Sequence, residues 1–86
     1  MNHVATPLFW EAYAKLPSSI RAKADKRFAK LRSDPFHPSL HFKQVGRYWS
    51  ARIDLNYRAV AVRDHDDVVW FWIGTHSEYD RLLKQP

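Results

Sequence analysis

Apolar and polar positions divide the chain into a helical first part and a strand-forming second part. Leu8, Phe9, Ala12, Tyr13 and Leu16 recur at helical spacing. Thr6-Pro7 ahead of them supplies a cap and a helix-compatible first turn, so the pattern predicts a short helix over Leu8 to Lys15. Pro17 interrupts it and suits the start of a second helix. In that helix Ile20, Ala24, Phe28 and Leu31 make one apolar stripe. Asp34-Pro35 ends it, because the residue before a proline is pushed out of helical backbone. Residues 8 to 33 therefore read as a helical hairpin with one apolar side, followed by a Pro35–Ser39 loop.

From His41 onward the period changes to two. A short strand is expected near His41 to Val45. Tyr48 to Leu55 alternates, with Trp49, Ala51, Ile53 and Leu55 on one face and Tyr48, Ser50, Arg52 and Asp54 on the other. Asn56 marks a tight hairpin into a strand over Tyr57 to Arg63, and Asp64-His65-Asp66-Asp67 is a polar turn. Val68 to Ile73 is apolar on both faces and should lie inside the sheet, covered on both sides. Gly74 ends it. Thr75 with Glu78 matches a capping box for a last short helix, in which Tyr79, Leu82 and Leu83 share a face. The expected class is α+β: a helical hairpin on one face of a small antiparallel sheet of about four strands, with a short C-terminal helix. The whole chain, 1–86, is expected to be a single domain.

Composition narrows the function classes. Four Trp, four Tyr and five Phe in 86 residues supply the core that so small a domain otherwise lacks. Cysteine is absent, which excludes disulfides and thiolate metal sites and fits a reducing compartment. The N-terminus lacks a basic head followed by an apolar run, and the longest apolar run, Val68 to Gly74, is far shorter than a bilayer span. The expectation is a soluble cytoplasmic protein that does not engage a membrane. A formal charge of +5 favours an anionic partner. Much of that charge falls on the second helix, at Arg21, Lys23, Lys26, Arg27, Lys30 and Arg32, and reads as its wet face.

The sheet arginines carry more weight. Arg52 stands on the polar face of its strand, and Arg58 follows the Asn56 turn, so a tight hairpin brings both to one end of the sheet. Two guanidiniums there can grip a phosphate and stabilise charge building on it; alternatively each pairs with a carboxylate, Asp54 or Glu78. His76 opens the last helix, where backbone N–H groups favour anions and disfavour imidazolium. A neutral imidazole there can exchange protons, or His76 is a surface turn residue. Tyr79 shares its helix face and either meets a base or phosphate oxygen or packs with Leu82 and Leu83. Lys43, His41 and Arg47, with His37, border the hairpin and could supply further cations or a proton carrier. Trp49, Trp70 and Trp72 read as core first. The histidine spacing suggests no metal site, no small-molecule cofactor is implied, and no Gly-rich phosphate loop or serine nucleophile motif is present.

The run HPSLHFKQVGRYWSARIDLNYRAVAV…WFWIGTHSEYDRLL resembles the RelE/ParE superfamily of bacterial toxins from type II toxin–antitoxin systems. The resemblance covers nearly the whole chain and rests on a Trp-x-x-Arg-Ile strand, a Tyr-Arg-x-Val turn and strand, and a Gly-x-His-x-x-Tyr ending. It implies one of two activities. RelE-like members are metal-independent endoribonucleases that cut mRNA, usually in the ribosomal A site, by attack of a 2′-OH on the adjacent phosphate. ParE-like members poison DNA gyrase and cut no RNA. Both are neutralised by an antitoxin that wraps around the toxin. Arg58 matches the arginine that serves the scissile phosphate, Arg52 matches a nearby basic strand position, and His76 and Tyr79 lie where the nucleases place C-terminal catalytic residues. The sequence departs from the pattern in two ways. No glutamate stands in the loop before Gly46, where certain members carry the general base, leaving His76 or His41. The short N-terminus leaves the usual first strand missing or reduced to Asn2–Ala5. The resulting expectation is an mRNA nuclease that inhibits translation, with a gyrase inhibitor or a non-toxic decayed member as alternatives.

Overall fold

Short-range patterning produces the helices and the meander, and the sheet then assembles around the most apolar strand. In the computed structural model, which describes residues 1–84, the chain runs β1 (Asn2–Ala5), α1 (Pro7–Ala14), α2 (Ser18–Ser33), a 3-10 turn (Pro38–Leu40), β2 (Lys43–Val45), β3 (Tyr48–Asp54), β4 (Tyr57–Asp64), β5 (Asp67–Thr75) and α3 (His76–Lys84). Thr6 caps α1, its hydroxyl accepting from the Phe9 N–H at 3.3 Å. Thr75 and Glu78 close the expected capping box: the Glu78 N–H donates to the Thr75 hydroxyl, and the Glu78 carboxylate accepts from the Thr75 N–H and Oγ1.

The α+β class holds, and the sheet has five strands rather than four, in the order β1-β5-β4-β3-β2. Strands β2 to β5 form the antiparallel meander, whereas β1 lies parallel to β5 with Asn2↔Asp67 through Ala5↔Trp70 in register. A four-residue segment containing Asn and His carries little strand signal of its own. It becomes a strand because β5 otherwise presents an unpaired edge. β5 is accordingly an interior strand.

One sheet face, bearing Ala51, Ile53, Ala59, Ala61, Val68, Trp70 and Ile73, packs under α1 and α2, with Ile20, Ala24 and Leu31 of α2 buried against it. Three local expectations differ. No residue of α1 is fully buried: Phe9 and Tyr13 pack against the core, while Leu8 is 63% exposed. Leu55 leaves the alternation and is 72% exposed, because the Asp54 carboxylate accepts from the Asn56 N–H at 2.8 Å and turns the chain out at Leu55. His41 falls outside β2, in left-handed backbone with φ 46°.

β1 is locked by a side-chain contact. The Trp70 indole N–H donates to His3 Nδ1 at 3.1 Å, and the His3 ring stacks beside Trp70 and meets the edges of Phe28 and Phe42. Burial lowers the His3 pKa, with the N-terminal ammonium and Arg32 adding to the effect. Accepting from Trp70 requires an unprotonated Nδ1, so the native state holds His3 neutral while the unfolded chain protonates near 6.5. The unfolded state binds more protons between those two pKa values. Stability is full above pH 6.5 and is lost as pH falls through that window. Urea midpoints at pH 7.5 and pH 5 should differ in the wild type, and the His3→Gln variant should show a smaller difference. A second expectation concerns Gly74, where an added Cβ would run into the Trp72 indole and approach Glu78. Gly74→Ala should cost about 1–3 kcal/mol of stability by denaturant titration.

Candidate functional site

The β3–β4 register sets Arg52 directly opposite Arg58. Ala51 and Ala59 point into the core beneath the helical hairpin, so the two arginines stand on the other face. The next row on that face is Lys43, Ser50 and Val60. Like charges facing each other across a strand pair destabilise a sheet, and no described carboxylate lies within salt-bridge distance of either arginine. Among the described residues, neither arginine forms a salt bridge: the ion pairs are Lys23–Asp54, His65–Asp64 and His76–Asp80. Asp54 and Glu78, the expected alternatives, are engaged with Lys23 and with the α3 cap. Arg58 donates Nη1 instead to the carbonyl oxygens of Asp54 and Tyr57, which fixes its guanidinium without neutralising it. Burial lowers the Arg58 pKa and the facing Arg52 lowers it further. Tyr79, Asp54 and Asp80 act in the opposite direction without cancelling that shift, and the group stays charged, since an arginine does not deprotonate in a protein.

α3 closes over the same face. Its first backbone N–H, from His76, donates to the Asn56 carbonyl at 2.7 Å and ties the helix start to the arginine hairpin. Tyr79 is buried, and its hydroxyl donates to the Ser50 hydroxyl at 3.2 Å. The Tyr79 ring meets His76 edge-on at 5.6 Å between centroids. His76 Nδ1 lies 3.1 Å from the Asp80 carboxylate, a contact that orients the ring and leaves Nε2 for a substrate. Arg52, Arg58, His76 and Tyr79 thus come together at the hairpin end. Tyr79 is buried between α3 and the sheet.

The other expected residues lie around this cluster. Lys43 is exposed on the same face, at the sheet edge. Continuing the β2–β3 register back from Lys43↔Ser50 sets His41 level with Arg52, although the strand begins only at Lys43 and the His41 side chain is exposed. Arg47 sits farther along, its guanidinium 5.1 Å from the Tyr48 ring centroid. His37 is turned away, with Nδ1 on the Ser39 hydroxyl. Sequence reasoning missed two residues. Asp80 follows His76 by one helical turn, a spacing visible in the chain; Ser50 had no signal, because its importance comes from a partner far along the sequence. Among the described residues no group of three or more His, Cys, Asp or Glu could hold a metal ion.

The five-stranded α+β fold with a helical hairpin on one face and a C-terminal helix on the other is similar to the RelE-like toxin fold. Residues 18–81 match the model of the ParE-like toxin domain, and the chain belongs to that family. No curated protein matches it in sequence. Its fold is similar to a chain of the RelB–RelE antitoxin–toxin complex from Methanococcus jannaschii, at 17% identity and TM-score 0.71 over 91% of this chain and 96% of that one. It is similar also to the YoeB/ParE toxin from Agrobacterium tumefaciens, at 18% identity and TM-score 0.64 over 88% and 99% of the two chains. A chain of the RelBE2 toxin–antitoxin complex from Mycobacterium tuberculosis is 22% identical, with TM-score 0.65 over 87% of this chain and 96% of that one. The described residues contain no helix long and apolar enough to cross a membrane.

The Tyr79–Ser50 bond makes a direct prediction. Tyr79→Phe leaves a buried hydroxyl without its partner and should lower stability by about 1–2 kcal/mol in urea unfolding. Ser50→Ala combined with Tyr79→Phe should cost less than the two single changes summed.

Proposed function

We propose that the chain is the toxin of a toxin–antitoxin pair and acts as an endoribonuclease on mRNA, inhibiting translation in the cytoplasm. The observation that carries this reading is the cross-strand Arg52–Arg58 pair without a carboxylate partner. Folding gains nothing from that pairing, whereas a bound phosphodiester supplies the missing anion. In the proposed reaction the RNA 2′-OH gives its proton to His76 Nε2 as the 2′-oxygen bonds to phosphorus. Arg58 and Arg52 hold the charge that builds on the phosphoryl oxygens. The bond to the 5′-oxygen then breaks, and the imidazolium returns the proton to that leaving group, producing a 2′,3′-cyclic phosphate and a 5′-hydroxyl. Asp80 holds the imidazole through Nδ1, and Tyr79 holds α3 to the sheet. Lys43 and Arg47 draw RNA to the face. His41, level with Arg52, is the alternative base.

An antitoxin partner is proposed on the strength of the similar RelB–RelE and RelBE2 complexes. The exposed Leu8 and Trp10 of α1 are apolar surface that such a partner would cover. The ParE-like family match also supports a second reading, gyrase inhibition, which needs the basic face and no proton carrier.

The two readings separate experimentally. Purified toxin and translating ribosomes should give discrete mRNA cuts by primer extension. Arg58→Ala should slow cutting about 10²–10³-fold, and His76→Gln about 10²–10⁴-fold, with thermal midpoints close to wild type. Growth arrest with intact mRNA, accompanied by trapped gyrase–DNA complexes and indifference to His76→Gln, would transfer the assignment to the gyrase reading.

A further inference from the structure

The sheet face that carries the arginines extends past α3. Tyr48 lies on it four residues before Arg52 along β3, with Val62 and Phe71 at the same end. Phe71 is brought there by the register shift between Val60 and Ala61, which pairs Val60 with Trp72 and Ala61 with Trp70, leaving Phe71 as the extra residue. The Tyr48 and Phe71 rings lie 5.8 Å apart at 49°. Both are half-exposed, Val62 is 37% exposed, and Arg47 and Lys43 are open to solvent. A sheet end that shows two aromatic rings and a valine to water costs hydrophobic stabilisation, and such surface commonly marks a binding site.

We infer that Tyr48 and Phe71, with Arg47, form a stacking subsite for an unpaired base of the RNA strand whose phosphate is held by Arg52 and Arg58. This rests on the reading that the face binds RNA, and it names the form of RNA bound: a single strand with at least one base splayed from its neighbours. Three features select that occupant. Charge is the first. Lys43, Arg47, Arg52 and Arg58 line the path between the two ends, while the carboxylates Asp64 and Asp67, paired at the far end of the face, repel a polyanion there and limit its length. Spacing is the second. Four residues of strand place Tyr48 about 13 Å from Arg52, within reach of a dinucleotide step. The third is chemistry. A guanidinium over a tyrosine ring offers two flat, mutually attractive surfaces, and a nucleobase can stack on either. Bases of a duplex are already stacked and cannot reach such a platform. An acidic peptide would use the cations but has no flat group for the rings.

The test is binding of a fluorescent 2′-O-methyl RNA oligonucleotide, which cannot undergo 2′-OH attack, to the full chain by anisotropy at fixed salt. The single strand should bind. Tyr48→Ala should weaken it about tenfold, Tyr48→Phe should retain most of the affinity, and a duplex of the same sequence should be unaffected by Tyr48→Ala. Arg47→Ala should weaken the single strand as well. Because Phe71→Ala risks the fold, its subsite is read on wild-type protein instead: 4-thiouridine in the oligonucleotide should photo-crosslink to Tyr48 or Phe71, located by mass spectrometry. Equal binding by wild type and Tyr48→Ala, or crosslinks confined to other residues, overturns the inference. So does competition by poly-glutamate that is itself weakened by Tyr48→Ala, which would assign the face to an acidic protein segment. Tight, Tyr48-dependent binding without cleavage of unmodified mRNA leaves the subsite standing and removes the nuclease reading; cleavage indifferent to Tyr48→Ala does the reverse.

Discussion

The fold depends on β5 being paired on both edges and buried under the helical hairpin on one face. Its other face, with Val69, Phe71 and Trp72, is only partly covered rather than closed on both sides as its apolar sequence suggested. Its residues Val68, Trp70 and Ile73 are nearly inaccessible to water, and no other strand of the chain combines such apolarity with such length. Burying it fixes the rest. The meander supplies β4 on one edge, and the other edge recruits β1, whose His3 receives the Trp70 N–H. α1 and α2 cover one face, and α3 leaves the end of β5 directly onto the other. The site is therefore a consequence of where β5 stops: Gly74 and Thr75 release the chain at the level of Arg58, and the capping box converts it at once into the helix that carries His76.

The site's electrostatics run against the economy of the core. Other polar groups that are buried or partly buried among the described residues are answered: Trp70 by His3, Tyr79 by Ser50, and Arg27 by Ser39 and a strand carbonyl. Arg52 and Arg58 differ. They repel one another across the β3–β4 hairpin, and the acids that sequence proximity offers them are committed to Lys23 and Thr75. A small domain tolerates such an arrangement only where the surrounding packing over-determines it. Here Arg58 is clamped by two backbone carbonyls and α3 is pinned to the hairpin by the His76 N–H. That pre-organisation is what a phosphate-handling site requires, because the charge is then already in place when the anion arrives.

Much of this was legible beforehand. The stripe Ile20, Ala24, Phe28 and Leu31, the Thr6 and Thr75 caps and the alternation from Tyr48 to Asp54 each depend on neighbours within a few residues, and each appears as expected. The departures have separate causes. Asn2–Ala5, which the family resemblance allowed as a reduced first strand and the hydrophobic pattern did not mark, becomes a strand because a partner some sixty-five residues away completes its ladder. Leu55 and Leu8 look apolar and are exposed, since the Asx turn at Asp54 and the shallow seating of α1 on the sheet override their hydrophobicity. Arg52, Arg58 and His76 were recognisable as candidates from residue type and position. Their lack of carboxylate partners was not, because Asp54 and Glu78 were equally plausible neighbours until their own hydrogen bonds were seen.

By itself, then, the sequence determined the local elements, the α+β class and a short set of candidate residues, since helix caps, turns and hydrophobic period are properties of adjacent side chains. Only the tertiary structure decided which of those residues meet. The cross-strand register set Arg52 against Arg58, the β5 bulge moved Phe71 beside Tyr48, and the docking of α3 placed His76 over the hairpin with Ser50 and Asp80 as supports. The approach of Arg52 to Arg58 across the turn and the one-turn spacing of His76 and Asp80 are local and visible in the chain. The bulge that brings Phe71 to Tyr48 and the docking of α3 on Ser50 are long-range choices made by burial and backbone pairing.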